Sequence, residues 1–266
     1  VFSYILGQQS SSFGLLFMPL WGLEGDATLS ETQMSSFGRG LQPSFTMHYR
    51  AMGNFSSERN FNKWFCGSYC EYIPDHYHLG YQITSYANTK YDENIWNKIV
   101  RYAVRNPYVL ATTYVGMKRY YSTSTAKLFR ETFVDLNSYW APLSRVEDSS
   151  ERIPTPEQQS YTTYRYPMPF GEGKVLSFKE DLDTPSALVV TDTKSGAERR
   201  ICYTGKISTR PTISHGKIWW TEYRRGVVYQ QRVNSRLCYA MPGRSATRTV
   251  FRYRNVQFPT AIDGEP

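Results

Sequence analysis

The stretch "SRVEDSSERIPTPEQQS", residues 144–160, separates two parts of the chain that follow different patterns. It is rich in charged residues, contains two prolines and has no hydrophobic periodicity, which is typical of a linker. Before it, apolar residues recur at helical spacing, and after it short runs alternate as strands do. We therefore predict an α+β multidomain protein with an all-α part over 1–143, a linker over 144–160 and antiparallel β-sheet over 161–266.

Four stretches of the first part carry helix signals. In "DENIWNKIVRYAVRNP", Asp92 is the predicted N-cap and Pro107 ends the helix. In "STAKLFRETFVDLNSYW", Ser124 or Thr125 is the predicted cap, and "PDHYHLGYQITSYANTKY" has Asp75 near its cap. A shorter helix is predicted over "EGDATLSETQMSS". The predicted buried stripe of the "STAKLF" helix comprises Leu128, Phe129, Thr132, Phe133, Leu136 and Trp140.

The second part contains five short strand-like runs: "KVLSFKED", "SALVVTDT", "ERRICYTG", "KIWWTEYR" and "SRLCYAM". Turn signals separate them at Gly171–Gly173, Asp192–Gly196 and Ser214–Gly216. "YPMPFGEGKVLSF" and "RPTISHGKIWWTEY" share a loose pattern, which "FPTAIDGEP" begins again. A repeat of about 45 residues with four strands per unit is typical of a β-propeller. Two units cannot close a ring, so we expect either the first blades of a propeller in a longer chain or a small β-sandwich.

Composition excludes several classes of protein. The chain has 266 residues, is 40% hydrophobic and carries a formal net charge of +8, so it is expected to fold around a core rather than stay disordered. No apolar run reaches the roughly 20 residues of a membrane-spanning helix, so no transmembrane segment is expected. The basic residues are interleaved with acids, most densely in "EYRRGVVYQQRVNSR", and no nucleic-acid motif accompanies them. We therefore expect no nucleic-acid partner.

The four cysteines are Cys66, Cys70, Cys202 and Cys238. Cys66 and Cys70 form a C-x3-C pair, but no second close pair follows, which argues against a four-thiolate zinc site. Our preferred interpretation is four buried free thiols. Disulfides between Cys66 and Cys70, or between Cys202 and Cys238, stay open as alternatives.

The stretch "WGLEGDA", residues 21–27, places two acids directly after an apolar run. Glu24 and Asp26 are open to two interpretations. Both can be solvated acids at a helix start, where Asp26 would be favoured by the helix dipole. Alternatively, Glu24 can be a metal ligand.

"WGLEGDA" resembles the W-x-x-E-G-x-A segment of gluzincin zinc metallopeptidases, the aminopeptidase-like group. About fifty residues later, "YHLGYQ" resembles the Y-x-x-G segment of the same family. The resemblance implies that Glu24 is the third zinc ligand and that Tyr77 stabilises the tetrahedral oxyanion. Arg39, in "GRG" after the proposed ligand helix, is a candidate for lining the substrate cleft. The second part of the chain resembles the start of a TolB-like propeller.

The sequence also departs from the family. It has four histidines and no H-E-x-x-H, so two zinc ligands and the general base are missing. His76 and His78 flank Tyr77 at a spacing that directs them to different sides of a helix, so they cannot replace that pair. We expect the chain to be a truncated part of a zinc metallopeptidase, inactive as supplied, with zinc in the intact protein and none here.

Peptides or proteins would be the substrates, and the location would be extracytoplasmic, periplasmic or at the cell surface. The alternative is a non-catalytic protein that contains a propeller and recognises a protein or a glycan.

Overall fold

The computed structural model describes residues 18–52, 60–144, 151–244, 248–250 and 255–260. The chain divides into two compact units, one formed by Val1–Ser68 with Tyr72–Asp148 and the other by Tyr69–Glu71 with Ser149–Pro266. Helices precede strands along the chain, so the fold is mixed α+β, as predicted. Of the proposed linker, residues 145–150 lie outside the described residues, and 151–159 carry no helix or strand.

The described part of the first unit contains seven α-helices. They are α1 (Leu20–Met34), α2 (Met47–Ala51), α3 (Phe61–Cys66), α4 (His76–Tyr91), α5 (Ile95–Arg105), α6 (Thr112–Tyr121) and α7 (Thr125–Trp140). Short 3-10 helices cover Arg39–Leu41, Pro43–Phe45 and Ala141–Ser144. No helix in these described residues is long and apolar enough to cross a membrane.

Two of the predicted helix caps are confirmed and one is wrong. The Asp75 carboxylate accepts hydrogen bonds from the backbone of Tyr77 and His78, and the Ser124 hydroxyl caps α7. Asp92, however, closes α4 in the left-handed conformation, with φ of 54°. Asn94 caps α5 instead, because its side-chain oxygen accepts from the Trp96 N–H at 2.9 Å.

Helix α1 begins earlier than the sequence predicts. We expected its start near Glu24, but it starts at Leu20, directly after Pro19. Asp26 is therefore in the helix interior, and the interpretation of Asp26 as a first-turn acid is wrong. Gly22 also lies inside the helix, although glycine has a poor helix propensity. A Cβ at this position would stand 2.4 Å from the Trp96 ring, so close packing favours glycine here.

A single aromatic-rich core holds the helical unit together. The predicted stripe of α7 is confirmed, since Leu128, Phe129, Thr132, Phe133 and Trp140 are buried and Leu136 packs partly buried against them. The stripe meets residues of the other helices in one cluster. Its large members include Trp21, Tyr49, Trp64, Leu79, Ile83, Trp96, Ile99 and Met117.

In its described residues, the second unit contains two four-stranded antiparallel sheets, each a simple meander in chain order. The first is β1 (Thr163–Pro169), β2 (Lys174–Glu180), β3 (Ala187–Asp192) and β4 (Glu198–Tyr203). The second is β5 (Thr212–Ser214), β6 (Lys217–Arg225), β7 (Val233–Ala240) and β8 (Arg248–Val250). All five predicted runs are strands, whereas β1, β5 and β8 were not predicted. The two sheets form no closed ring within the described residues.

One hydrophobic cluster joins the two sheets. Leu176, Phe178 and Leu188 of the first sheet share it with Ile218 and Trp220 of the second. Cys202 and Cys238 belong to the same cluster and are buried free thiols, as expected. Cys66 and Cys70 are free but exposed, so the expectation of burial is wrong for this pair.

Candidate functional site

The site is built on the contact between α1 and α4, which cross backbone to backbone. A Cβ on Gly25 would lie 2.3 Å from the Gly80 carbonyl carbon, and a Cβ on Gly80 would lie 1.8 Å from the Trp21 carbonyl oxygen. Both positions therefore require glycine. These are the glycines of "WGLEGDA" and "YHLGYQ", so the two motifs meet in the structure although about fifty residues separate them.

The loop "GRG", residues 38–40, lies against both helices. A Cβ on Gly38 would stand 2.1 Å from the Thr32 Cα in α1, and one on Gly40 would stand 2.2 Å from the Tyr81 ring in α4. The Gly40 N–H also donates to the Thr32 hydroxyl at 3.1 Å. Close contact on both sides fixes the backbone on either side of Arg39.

Arg39 brings the predicted site residues together. Its Cζ lies 5.2 Å from the centroid of the Tyr77 ring, within the range of a cation–π contact. The pKa of Arg39 is raised, first by its hydrogen bond to Glu31 and further by electrostatic interactions with Glu31, Tyr77 and Glu24. The sequence nominates Glu24, Arg39 and Tyr77 separately. In the structure Tyr77 contacts Arg39, and Glu24 lies within electrostatic range of Arg39.

Glu31 is a member of this group that sequence reasoning missed. Its carboxylate accepts from the Arg39 Nε at 2.8 Å and lies 2.7 Å from Nη2. The hydrogen bond from Arg39 lowers the Glu31 pKa. The available signal was spacing, because Glu31 follows Glu24 by two helical turns and shares its side of α1. The role of Glu31 as the counter-ion of Arg39 becomes evident only in the structure, where residues 38–40 lie against α1.

The group is accessible to solvent. Tyr77 is 37% exposed, the Arg39 side chain is about as exposed as that of Glu31, and Glu24 is half-buried. These side chains are therefore not closed off from solvent by burial. A phenol, a guanidinium and a carboxylate are all available to a molecule that approaches this side of the α1–α4 pair.

Asp26 belongs to a different environment. Its carboxylate accepts from the Asn94 side chain at 2.8 Å, and burial raises its pKa. It lines a polar cavity of about 300 Å³, whose other walls include Ser30, Asn88 and Glu93.

The two histidines beside Tyr77 also have other neighbours. The His78 Nδ1 lies 2.6 Å from the Asp75 carboxylate, and its ring stacks on Phe45. The His76 ring packs against Phe65. The two imidazoles are thus held apart, as their spacing predicts.

Zinc requires more ligands than this group supplies. Among the described residues, no group of three or more His, Cys, Asp or Glu is placed to hold a metal ion. Glu24 provides one carboxylate, whereas a catalytic zinc takes three protein ligands. The described residues therefore supply fewer ligands than a catalytic zinc takes.

Comparison with family profiles, curated proteins and solved structures finds no match to this chain. The resemblance to gluzincins thus rests on the two motifs, and the functional interpretation rests on the geometry around Arg39.

Proposed function

We propose that the helical unit is part of a zinc-dependent peptidase, to which it contributes Glu24 as a metal ligand and Tyr77 as a hydrogen-bond donor. One observation carries the proposal. The crossing at Gly25 and Gly80 joins the helices that carry the two motif residues, with Tyr77 beside the Arg39 guanidinium and Glu24 within electrostatic range of it. The contact between the glycines of the two motifs supports their assignment to one site.

The proposed roles follow from the chemistry of the side chains. A zinc ion with three protein ligands activates a bound water and polarises the scissile carbonyl. In this chain, the Tyr77 phenol would donate a hydrogen bond to the oxygen on which negative charge develops. The Arg39 cation beside that ring would favour the same charge. Because the sequence has no H-E-x-x-H, we assign no step to the metal. On this proposal, the two imidazole ligands and the general base would come from another part of the intact protein.

We propose that the β-sheet unit is the beginning of a TolB-like propeller that presents peptide substrate to the site or limits access to it. Two successive four-stranded meanders with a shared core support this proposal, because four-stranded antiparallel sheets are the repeating units of propellers. An extracytoplasmic location would suit such a protein.

Zinc content tests the role of Glu24. We expect the intact protein to contain one zinc ion per chain by elemental analysis, and Glu24→Ala to lose most of it, since a missing ligand weakens metal binding strongly. Glu31→Ala is the matched control, because it removes the same charge from the same helix and should leave zinc bound. Zinc-free intact protein, or equal loss in both variants, would contradict the proposal. Zinc-free protein would favour the non-catalytic binding function.

Peptide hydrolysis tests the role of Tyr77. We expect Tyr77→Phe to lower kcat about 10²- to 10³-fold in the intact protein, as for loss of an oxyanion donor, with zinc content unchanged. Tyr81→Phe, one turn further along α4, removes a hydroxyl from the same helix and should change kcat little. Equal activity in Tyr77→Phe and wild-type protein would remove Tyr77 from the mechanism.

A further inference from the structure

A β-hairpin extends beyond the second sheet. Strands β6 and β7 stay paired as far as Arg225 and Val233, and the Gly226 N–H closes the loop on the Arg232 carbonyl at 2.8 Å. The neighbouring chain stops earlier on both sides. In β6, the last residue with a hydrogen bond outside the hairpin is Tyr223, whose N–H donates to the Lys206 carbonyl. In β7, the first such residue is Ser235, which bonds to Asn255 and Val256. Among the described residues, the backbone between them pairs only within the hairpin.

The tip of this hairpin is apolar and faces solvent. Val227 is 97% exposed, Val228 80% and Tyr229 73%. Val233 and Tyr223, where the hairpin leaves the sheet, are exposed as well. A contiguous exposed apolar patch on a projecting element marks an interaction surface.

Two arginines lie next to the tip. Arg225 and Arg232 flank the loop, both are exposed, and neither has an acidic partner among the described residues. Arg224 is different, since it is held by the buried carboxylate of Glu222 at 2.5 Å. The tip therefore combines an apolar end with an unneutralised pair of arginines, which we call the arginine pair.

We propose that this hairpin docks on a bilayer that contains anionic phospholipid. Val227 and Val228 would enter the boundary between headgroups and acyl chains, and Tyr229 would lie at headgroup level, where its ring and hydroxyl are both satisfied. The arginine pair would meet lipid phosphates, since the long arginine stem lets the charge stay in the polar layer. A projecting apolar tip suits a deformable surface, which needs no preformed groove. The net charge of +8 on the chain favours the same partner.

Sedimentation with lipid vesicles tests the proposal on the full chain. We expect binding to phosphatidylcholine vesicles that contain phosphatidylglycerol and much weaker binding without it. The double variant Val227→Ser, Val228→Ser should bind at least ~10-fold more weakly because it loses apolar burial. Arg225→Gln and Arg232→Gln should each weaken binding about fivefold.

Matched controls separate the hairpin from the general charge of the protein. Lys194→Gln with Arg199→Gln removes two exposed cations from the first sheet, and Leu182→Ser removes an exposed apolar side chain there. Both should bind as wild type does. Equal losses in the control and hairpin variants would overturn the proposal. Wild-type protein that binds neither kind of vesicle would also overturn the proposal. An acidic groove on a protein would then be the expected binding partner of the tip.

Discussion

Glu222 is a buried carboxylate whose acceptors are fully used. It is 1% exposed and accepts from the Gly205 N–H at 2.7 Å, the Trp220 indole N–H at 3.2 Å and the Arg224 Nε at 2.8 Å. It therefore ties the segment before β5 to the middle of the second sheet. A buried charge is tolerated here because each of its partners is a hydrogen-bond donor.

We expect Glu222→Ala to lower the free energy of unfolding by about 2–4 kcal/mol, because it leaves the buried Trp220 N–H without an acceptor. Urea unfolding monitored by tryptophan fluorescence measures this. Glu180→Ala is the control, since Glu180 forms a more exposed ion pair with Arg165 at 3.3 Å. Its effect should stay within about 1 kcal/mol. Similar losses of unfolding free energy in the two variants would show that burial does not make Glu222 more important for stability than Glu180.

Asp26 gives a prediction for pH. Burial raises its pKa, so the folded state favours the protonated carboxyl. The stability that this group adds is full at acid pH, below its ordinary pKa, and is lost as the pH rises through the raised value. Asp26→Asn removes the charge and keeps an oxygen for the Asn94 amide. We expect the variant to have a higher Tm than wild type at neutral pH and no advantage at acid pH. A lower Tm at neutral pH would contradict this interpretation.

At the scale of elements, the α1–α4 crossing makes its own prediction. We expect Gly25→Ala and Gly80→Ala each to destabilise the helical unit by about 2–4 kcal/mol. Each new methyl would meet backbone atoms, which no side-chain rotation can move away. Gly116→Ala is the control, because a Cβ there would be 3.3 Å from the Ile99 side chain and alanine favours the helix. Its effect should lie within about 1 kcal/mol, as measured by thermal or urea unfolding.

The elements also show what a single sequence can predict. Helices with a clear cap and an apolar stripe, such as α7, were predictable, as were the strands β2, β3, β4, β6 and β7. Strand β1 was missed although it has seven residues, because two of them are proline. Strands β5 and β8 were missed because three residues carry no period. Helix α6 was missed as well, since "TTYVGMKRYY" is rich in β-branched and aromatic residues and contains a glycine. The start of α1 was misplaced because its glycines serve a tertiary contact that local propensity does not reveal.

The sequence nominated only some of the residues of the candidate site. Motif resemblance nominated Glu24 and Tyr77, and loop composition nominated Arg39. Glu31 could not be nominated, because its importance depends on the return of the "GRG" loop to α1. The hairpin tip was visible in the sequence as a basic stretch, but only the structure shows that its valines are exposed.

At the scale of the whole molecule, each compact unit has its own core. We expect Leu128→Ala to destabilise the helical unit by about 2–5 kcal/mol and Leu176→Ala to do the same to the β-sheet unit, since both side chains are fully buried. Hydrogen exchange measured by mass spectrometry should show faster exchange only in the unit that carries the substitution. Faster exchange throughout the chain in both variants would show that the two units unfold together.

The glycine contact between α1 and α4 also bears on how this surface can vary. Its geometry is set by main-chain atoms, so it does not depend on which rotamers the neighbouring side chains adopt. Substitutions on the outer sides of both helices should therefore leave the backbone separation of Glu24 and Tyr77 unchanged. Residues that border the pair can be exchanged to admit differently shaped molecules, while the spacing of the backbone at Glu24 and Tyr77 stays constant.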